Sequence, residues 1–194
     1  MAEASAEQGR ATRQRLLTAA VALIGEVGWN GVTTRMVADR AGVGSGVVHY
    51  HFSSVNDLLV TASVGFAREL LTEMSTQLRA QPNLDQGLNW LLAQLADYPG
   101  DDPASLLIVE MFLASTRLPE LRAHLRDMVV EFRCGLAAWL RERGYNGEAE
   151  AAATVLAAAL DGLLLHHSLD SSLDLATLAV PLRAMLRKDD DPEG

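Results

Sequence analysis

The segment TTRMVADRAGVGSGVVHYHF (Thr33–Phe52) constrains the fold more than any other part of the chain, because Gly42, Gly44 and Gly46 crowd into five positions between two short helical patterns. Val37, Ala38 and Ala41 share one face of a helix that Thr33 or Thr34 can cap. Gly42 suits a turn that needs positive φ. A second short helix follows from about Ser45 to Tyr50, and Val43 and Val48 join the apolar face that packs the pair on a preceding helix. Ala38 and Ala41 are small enough to let two helix axes approach. Two short helices joined by a tight glycine turn are the pattern of a helix-turn-helix. The alternative on spacing alone is a bend inside an ordinary helical bundle.

The rest of the chain carries helical periodicity throughout. Leu16, Ala20, Leu23, Ile24 and Val27 mark a first helix from Arg10, stopped by Gly28. Ser54-Val-Asn-Asp57 reads as a variant capping box opening a long fourth helix that ends before Pro82. A fifth runs from about Leu84 to Asp97. The sixth is capped by Asp102-Pro103 and reaches about Thr116. The seventh contains Leu121 to Trp139 and is closed by Gly144. The last pair spans about Gly147–Ser168 and Leu173–Lys188. The expected fold is all-α with nine helices. Residues 1–8 read as a disordered arm, 9–53 as the helix-turn-helix domain, 54–188 as a helical ligand-binding and dimerisation domain, and 189–194 as an acidic tail.

Net charge is −9 over 194 residues, which argues against a nucleic-acid partner until its distribution is considered. Residues 1–52 hold five Arg and four Asp or Glu, whereas the remaining 142 hold 11 Lys or Arg and 21 acids. The acidity therefore belongs to the C-terminal part, and the N-terminal part can still face phosphate. A single cysteine, Cys134, excludes an internal disulfide framework. No secretory leader is legible, and the longest apolar run, around Val155–Leu165, reads as too short to span a bilayer. A cytoplasmic location with no membrane partner is the expectation.

Gly44, Ser45 and Gly46 present almost no side chain at the start of the third helix. That suits a helix end that must enter the ~12 Å major groove. Ser45 can bond a base or phosphate, Val47 can touch a thymine methyl, and His49, Tyr50 and His51 are polar-tipped rings suited to phosphate oxygens.

This stretch closely resembles the DNA-binding signature of the TetR family of bacterial transcriptional regulators. The matching features are Thr-Thr before the second helix, Val-Ala-x-x-Ala-Gly-Val, a glycine in the third helix and the closing Tyr-His-Phe; "NDLL" downstream matches the start of the family's fourth helix. The resemblance covers about Arg10–Thr61, and beyond that rests on length and the helix series. It implies that Thr34 binds phosphate, that Ser45, Gly46 and Val47 lie in the groove, that His49, Tyr50 and His51 hold the DNA backbone, and that Phe52 packs as an anchor; Arg35 and Gly44 are further candidates for DNA contact. Many members carry Lys near Ser45 and Val55, and this chain has neither. Each lost phosphate contact flattens the salt slope by ~0.9. Arg10, Arg13 and Arg35 are the cations available to compensate.

The run AAATVLAAALDGLLL (Ala151–Leu165) is apolar on nearly all sides and must be covered on nearly all sides. It is either an internal helix or, with the following helix, half of a four-helix dimer seam, for which Leu156, Leu160, Leu163, Leu164, Leu178, Leu182 and Met185 are the candidates. A helix-turn-helix itself calls for a two-fold homodimer on two half-sites of double-stranded operator DNA. Phe66, Leu70, Met74, Trp90, Met111, Phe112, Met128 and Phe132 are either plain core or, with His166, the lining of an adaptable apolar pocket. The resemblance implies such a cavity for a small-molecule effector.

No phosphate loop, nucleophile elbow or metal spacing is legible, so no catalytic residue, cofactor or metal is expected. His166 and His167 are adjacent and point about 100° apart on a helix. The reading is a ligand-released repressor on a palindromic operator, not an enzyme. Its rival is an all-α small-molecule-binding or enzyme-like bundle that does not bind DNA.

Overall fold

The computed structural model describes residues 2–97 and 103–186. Among them are nine α-helices, two 3-10 turns and no strand. The helices are α1 (Ala2–Val27), α2 (Thr34–Ala41), α3 (Ser45–His51), α4 (Val55–Ala80), α5 (Leu84–Ala96), α6 (Pro103–Ser115), α7 (Pro119–Glu142), α8 (Ala149–Leu169) and α9 (Ala179–Met185). The 3-10 turns are Trp29–Gly31 and Leu175–Leu178. The all-α expectation holds.

Two expected elements are corrected. The arm expected to be disordered is helical from Ala2 onward, because Ala, Glu and Gln propagate a helix well. Within its described part, to residue 186, the helix expected over residues 173–188 is a 3-10 turn followed by the seven-residue α9. Pro181 supplies the reason: it has no N–H to give and is tolerated only in a first helical turn, so α9 begins at Ala179. The cap expected at Asp102 and the tail over 189–194 lie outside the described residues.

The chain divides into two compact units, residues 1–69 with 101–125, and residues 70–100 with 126–194. The division falls inside α4 and α7. In the first unit α1 is the hub, packing against both α2 and α6. Its buried Leu16, Ala20, Leu23 and Ile24 recur at helical spacing, and α6 turns Leu107, Met111 and Ala114 inward. In the second unit, Leu88 and Leu91 of α5, Leu136, Trp139 and Leu140 of α7, and Ala153, Leu156, Ala157 and Leu160 of α8 form one core cluster. Leu92, Ala179 and Leu182 seat α9 beside it. Arg143 reaches back to the end of α4, its Nε donating to the Gln81 carbonyl at 2.7 Å and its Nη2 to that of Arg79 at 2.5 Å. At 21 residues α8 is long and apolar enough to cross a bilayer by length and composition. One of its flanks is nonetheless filled by the unit's own core.

Candidate nucleic-acid interface

Local chemistry fixes both ends of α2. Thr33 takes the N-cap, its hydroxyl accepting the Met36 N–H at 3.3 Å, which leaves Thr34 as the first helical residue. Gly42 adopts φ 67°, so that its N–H reaches Asp39 O at 3.2 Å and the Val43 N–H reaches Ala38 O at 3.0 Å. This is a Schellman closure, and it turns the chain sharply into α3.

The faces of α3 are sharply divided. Val48 and Phe52, four residues apart, are buried, while Ser45, Gly46 and His49 are exposed and Tyr50 is 85% exposed. Val47 and His51 are half-buried. Gly44 has an ordinary φ of −72°, and a Cβ at Gly44 or Gly46 would meet nothing within 4 Å. The fold itself therefore requires glycine at neither position, and the bare surface faces outward.

Rings and charges brace this end. The Tyr50 and His51 rings meet edge-on at 5.0 Å, and the Arg13 guanidinium of α1 lies 5.0 Å over the Phe52 ring. Arg13 is thus held beside the end of α3, a placement that spacing within α1 could not reveal. Arg40 donates two bonds to Glu26, at 2.8 and 2.6 Å. Arg40 is therefore committed to tying α2 to α1, and the pairing lowers the Glu26 carboxyl and raises the Arg40 guanidinium, the shared hydrogen bond being the main cause of each. Arg35 is solvated and 3.8 Å from Asp39.

The start of α4 departs slightly from the expected box. Ser54 Oγ accepts the Asp57 N–H at 3.0 Å as expected, but the Asp57 carboxylate takes the Ser53 N–H and hydroxyl, each at 2.8 Å. The reciprocal bond has moved one residue toward α3.

Two sequence models match the chain: "Bacterial regulatory proteins, tetR family" over residues 16–62, and "Tetracyclin repressor-like, C-terminal domain" over 85–188. The chain belongs to the TetR family. Among TetR-family relatives it is 30% identical over 182 residues to the HTH-type transcriptional regulator BetI of Klebsiella pneumoniae, covering 88% of this chain and 89% of that one. A transcriptional regulator of Streptomyces coelicolor A3(2) shares the fold with a TM-score of 0.74 at 24% identity, covering 91% of this chain and 99% of the other. The regulator FadR of Bacillus subtilis, solved with stearoyl-CoA, matches with a TM-score of 0.69 at 18% identity over 89% of this chain and 96% of its own. The multidrug binding protein EbrR, complexed with imidazole, matches at 0.65 and 29% identity over 91% and 95%.

The remaining candidate residues of this TetR-family chain are scattered. Met111 is fully buried in the first unit, where Phe66 is half-buried and Phe112 is exposed. In the second unit Met128 is buried, Leu70 and Met74 are half-buried, and Trp90 and Phe132 pack on the core cluster. His166 lines a groove of about 420 Å³ between α8 and α9 with Leu163, Leu178, Leu182 and Met185. A second groove of about 390 Å³ adds Tyr145, Val155 and Leu156 to Leu182 and Met185. Leu156 and Leu160 turn into their own core, and Leu164 is half-buried. The apolar side chains left exposed here are Val155, Leu165, Leu169, Val180 and Met185.

Proposed function

We propose that this TetR-family regulator is a homodimeric repressor that reads a palindromic operator with α3 and is released by a small, mostly apolar effector. The observation that carries the reading is the division of α3: an anchored inner side of Val48 and Phe52, and an outer side at Ser45, Gly46, His49 and Tyr50 with no bulk at its leading end. A helix so built enters a major groove without clash. Thr34, Arg35, Gly44, Val47 and His51 complete the contact surface, and Arg13 adds a positioned cation. Residues 9–53 form the reading domain in this account, and residues 54–188 sense and dimerise. The assembly works in the cytoplasm, where its DNA is, and has no catalytic role.

The dimer reading is supported by the apolar side chains that α8 and α9 leave uncovered and by the two grooves that Leu182 and Met185 share. Two such pairs related by a two-fold axis make a four-helix bundle. The effector reading is supported by the Met and aromatic side chains of α4 to α7, and by relatives of the same fold that hold stearoyl-CoA or are described as multidrug binding. A coupling of about 1–3 kcal/mol between effector and operator suffices for a switch.

The test is a mobility shift on the duplex upstream of the chain's own gene, with sedimentation of the same samples. The wild type shifts the duplex as a dimer. Tyr50→Ala and His51→Ala weaken the shift and leave the dimer intact. A wild type that shifts no duplex returns the DNA-free binding bundle as the better account.

A further inference from the structure

Helix α6, PASLLIVEMFLAS, contains one ionisable side chain, Glu110. An isolated acid in so apolar a helix needs a partner, because desolvating an unpaired carboxylate is costly. Its partner is 81 residues away: Glu110 Oε2 accepts the backbone N–H of Trp29 at 2.8 Å. Trp29 opens the 3-10 turn between α1 and α2, and its side chain is buried.

The hydrogen bonds of that turn show what the carboxylate does. The Gly28 N–H goes to Ile24 O at 3.0 Å and the Gly31 N–H to Gly28 O at 3.1 Å. The Trp29 N–H at the head of the turn goes to the α6 carboxylate. Gly28 stands at φ 74°, and a Cβ on it would lie 3.4 Å from Glu110 Oε1. The positive φ is what calls for glycine there, since a Cβ would meet the acid only at ordinary contact distance. Val32, also buried, and the Thr33 cap follow directly, so the turn leads straight into α2.

We infer that Glu110 is a positioning residue for the DNA-reading pair: it holds the α1–α2 turn against α6 and so makes the placement of α3 depend on α6. This rests on the DNA-reading role proposed above. The Glu110–Trp29 bond differs in character from the Glu26–Arg40 pair that also braces this region. The Glu26–Arg40 pair is exposed and screened by salt. The Glu110–Trp29 bond is partly buried and joins a different helix.

The experiment compares Glu110→Met, which keeps length and apolar bulk but has no oxygen acceptor, with Glu110→Gln, which keeps one. The probe is the duplex that wild-type protein recovers from a random-sequence pool. The Met variant is expected to bind it about tenfold more weakly and the Gln variant within about twofold, the scale of one shielded hydrogen bond. Amide hydrogen exchange supplies the readout that general destabilisation would not reproduce. The Trp29 amide exchanges slowly in the wild type and about tenfold faster in the Met variant, while amides in the α5–α7–α8 core keep their rates. Rapid wild-type exchange at Trp29, unchanged affinity in the Met variant, or equal acceleration at every amide would each overturn the inference. If the wild type recovers no duplex, the DNA reading falls and the inference falls with it; a wild type that binds beside an indifferent Met variant removes the inference alone.

Discussion

The Trp139 indole occupies the space in which a side chain at residue 87 would begin: a Cβ on Gly87 would sit 2.1 Å from Trp139 Cζ2 and 2.7 Å from Cη2. Glycine inside a helix costs about 0.5–1 kcal/mol relative to alanine. Here that cost admits Trp139, the largest fully buried side chain among the described residues, to the interface of α5 and α7. Gly87→Ala should therefore lower folding stability by about 1–3 kcal/mol, the usual range for overpacking. Denaturant unfolding measures it, and an unchanged midpoint would contradict this packing of α5 on α7.

Gly46 is the opposite case, since a Cβ there meets open space. Gly46→Ala should stabilise the free protein by up to about 1 kcal/mol through helix propensity alone. The same methyl group should weaken binding to the duplex by crowding the groove. A variant that is more stable and binds equally well would show that the bare surface of α3 serves some other purpose.

Asp57 makes stability depend on acid. The Ser53 backbone N–H first, and its hydroxyl second, hold the Asp57 carboxyl below the ordinary carboxylate range. A depressed acid contributes stability above its unfolded-state value and loses it as pH falls through the folded one. Asp57→Asn should thus melt at a lower temperature than wild type at neutral pH. The gap should close as the solution is acidified through and below the ordinary carboxylate range. A gap that persists into strong acid would assign the effect to shape rather than charge.

Asp161 carries the opposite sign. It retains exposed surface, yet the surrounding bulk of the protein pushes its carboxyl up. A raised acid favours the fold when protonated, and that contribution is lost as pH rises through the folded value. Asp161→Asn should therefore raise the melting temperature at neutral pH, with an advantage that shrinks on acidification. Equal melting curves at neutral pH would mean that burial at this position carries no cost.

Sequence and structure agree best where a signal is local. Thr33, Gly42, Ser54 and Gly144 act at the helix ends where their chemistry places them, because caps and left-handed turns involve only neighbouring residues. The face of α8 was harder to read. Its run is apolar all round, so no periodicity distinguishes the flank of Leu156 and Leu160 from the flank of Val155 and Leu165. Pro181 breaks the last helical pattern, but the apolar periodicity on either side of it runs through without a gap. The bond of Glu110 to Trp29 joins distant segments through a backbone N–H that no residue pattern encodes. The one trace it left was a lone acid in an oily helix.

The uncovered flank of α8, with Val155, Leu165 and Leu169, has an evolutionary consequence. In the homodimer proposed above each patch would meet its own copy, so any substitution there would be encountered twice. After a gene duplication, one charge acquired on this flank by one daughter would set two like charges face to face in its own pair but only one in the pair with its sibling, so the altered daughter would be drawn into mixed assemblies before their reading helices had diverged.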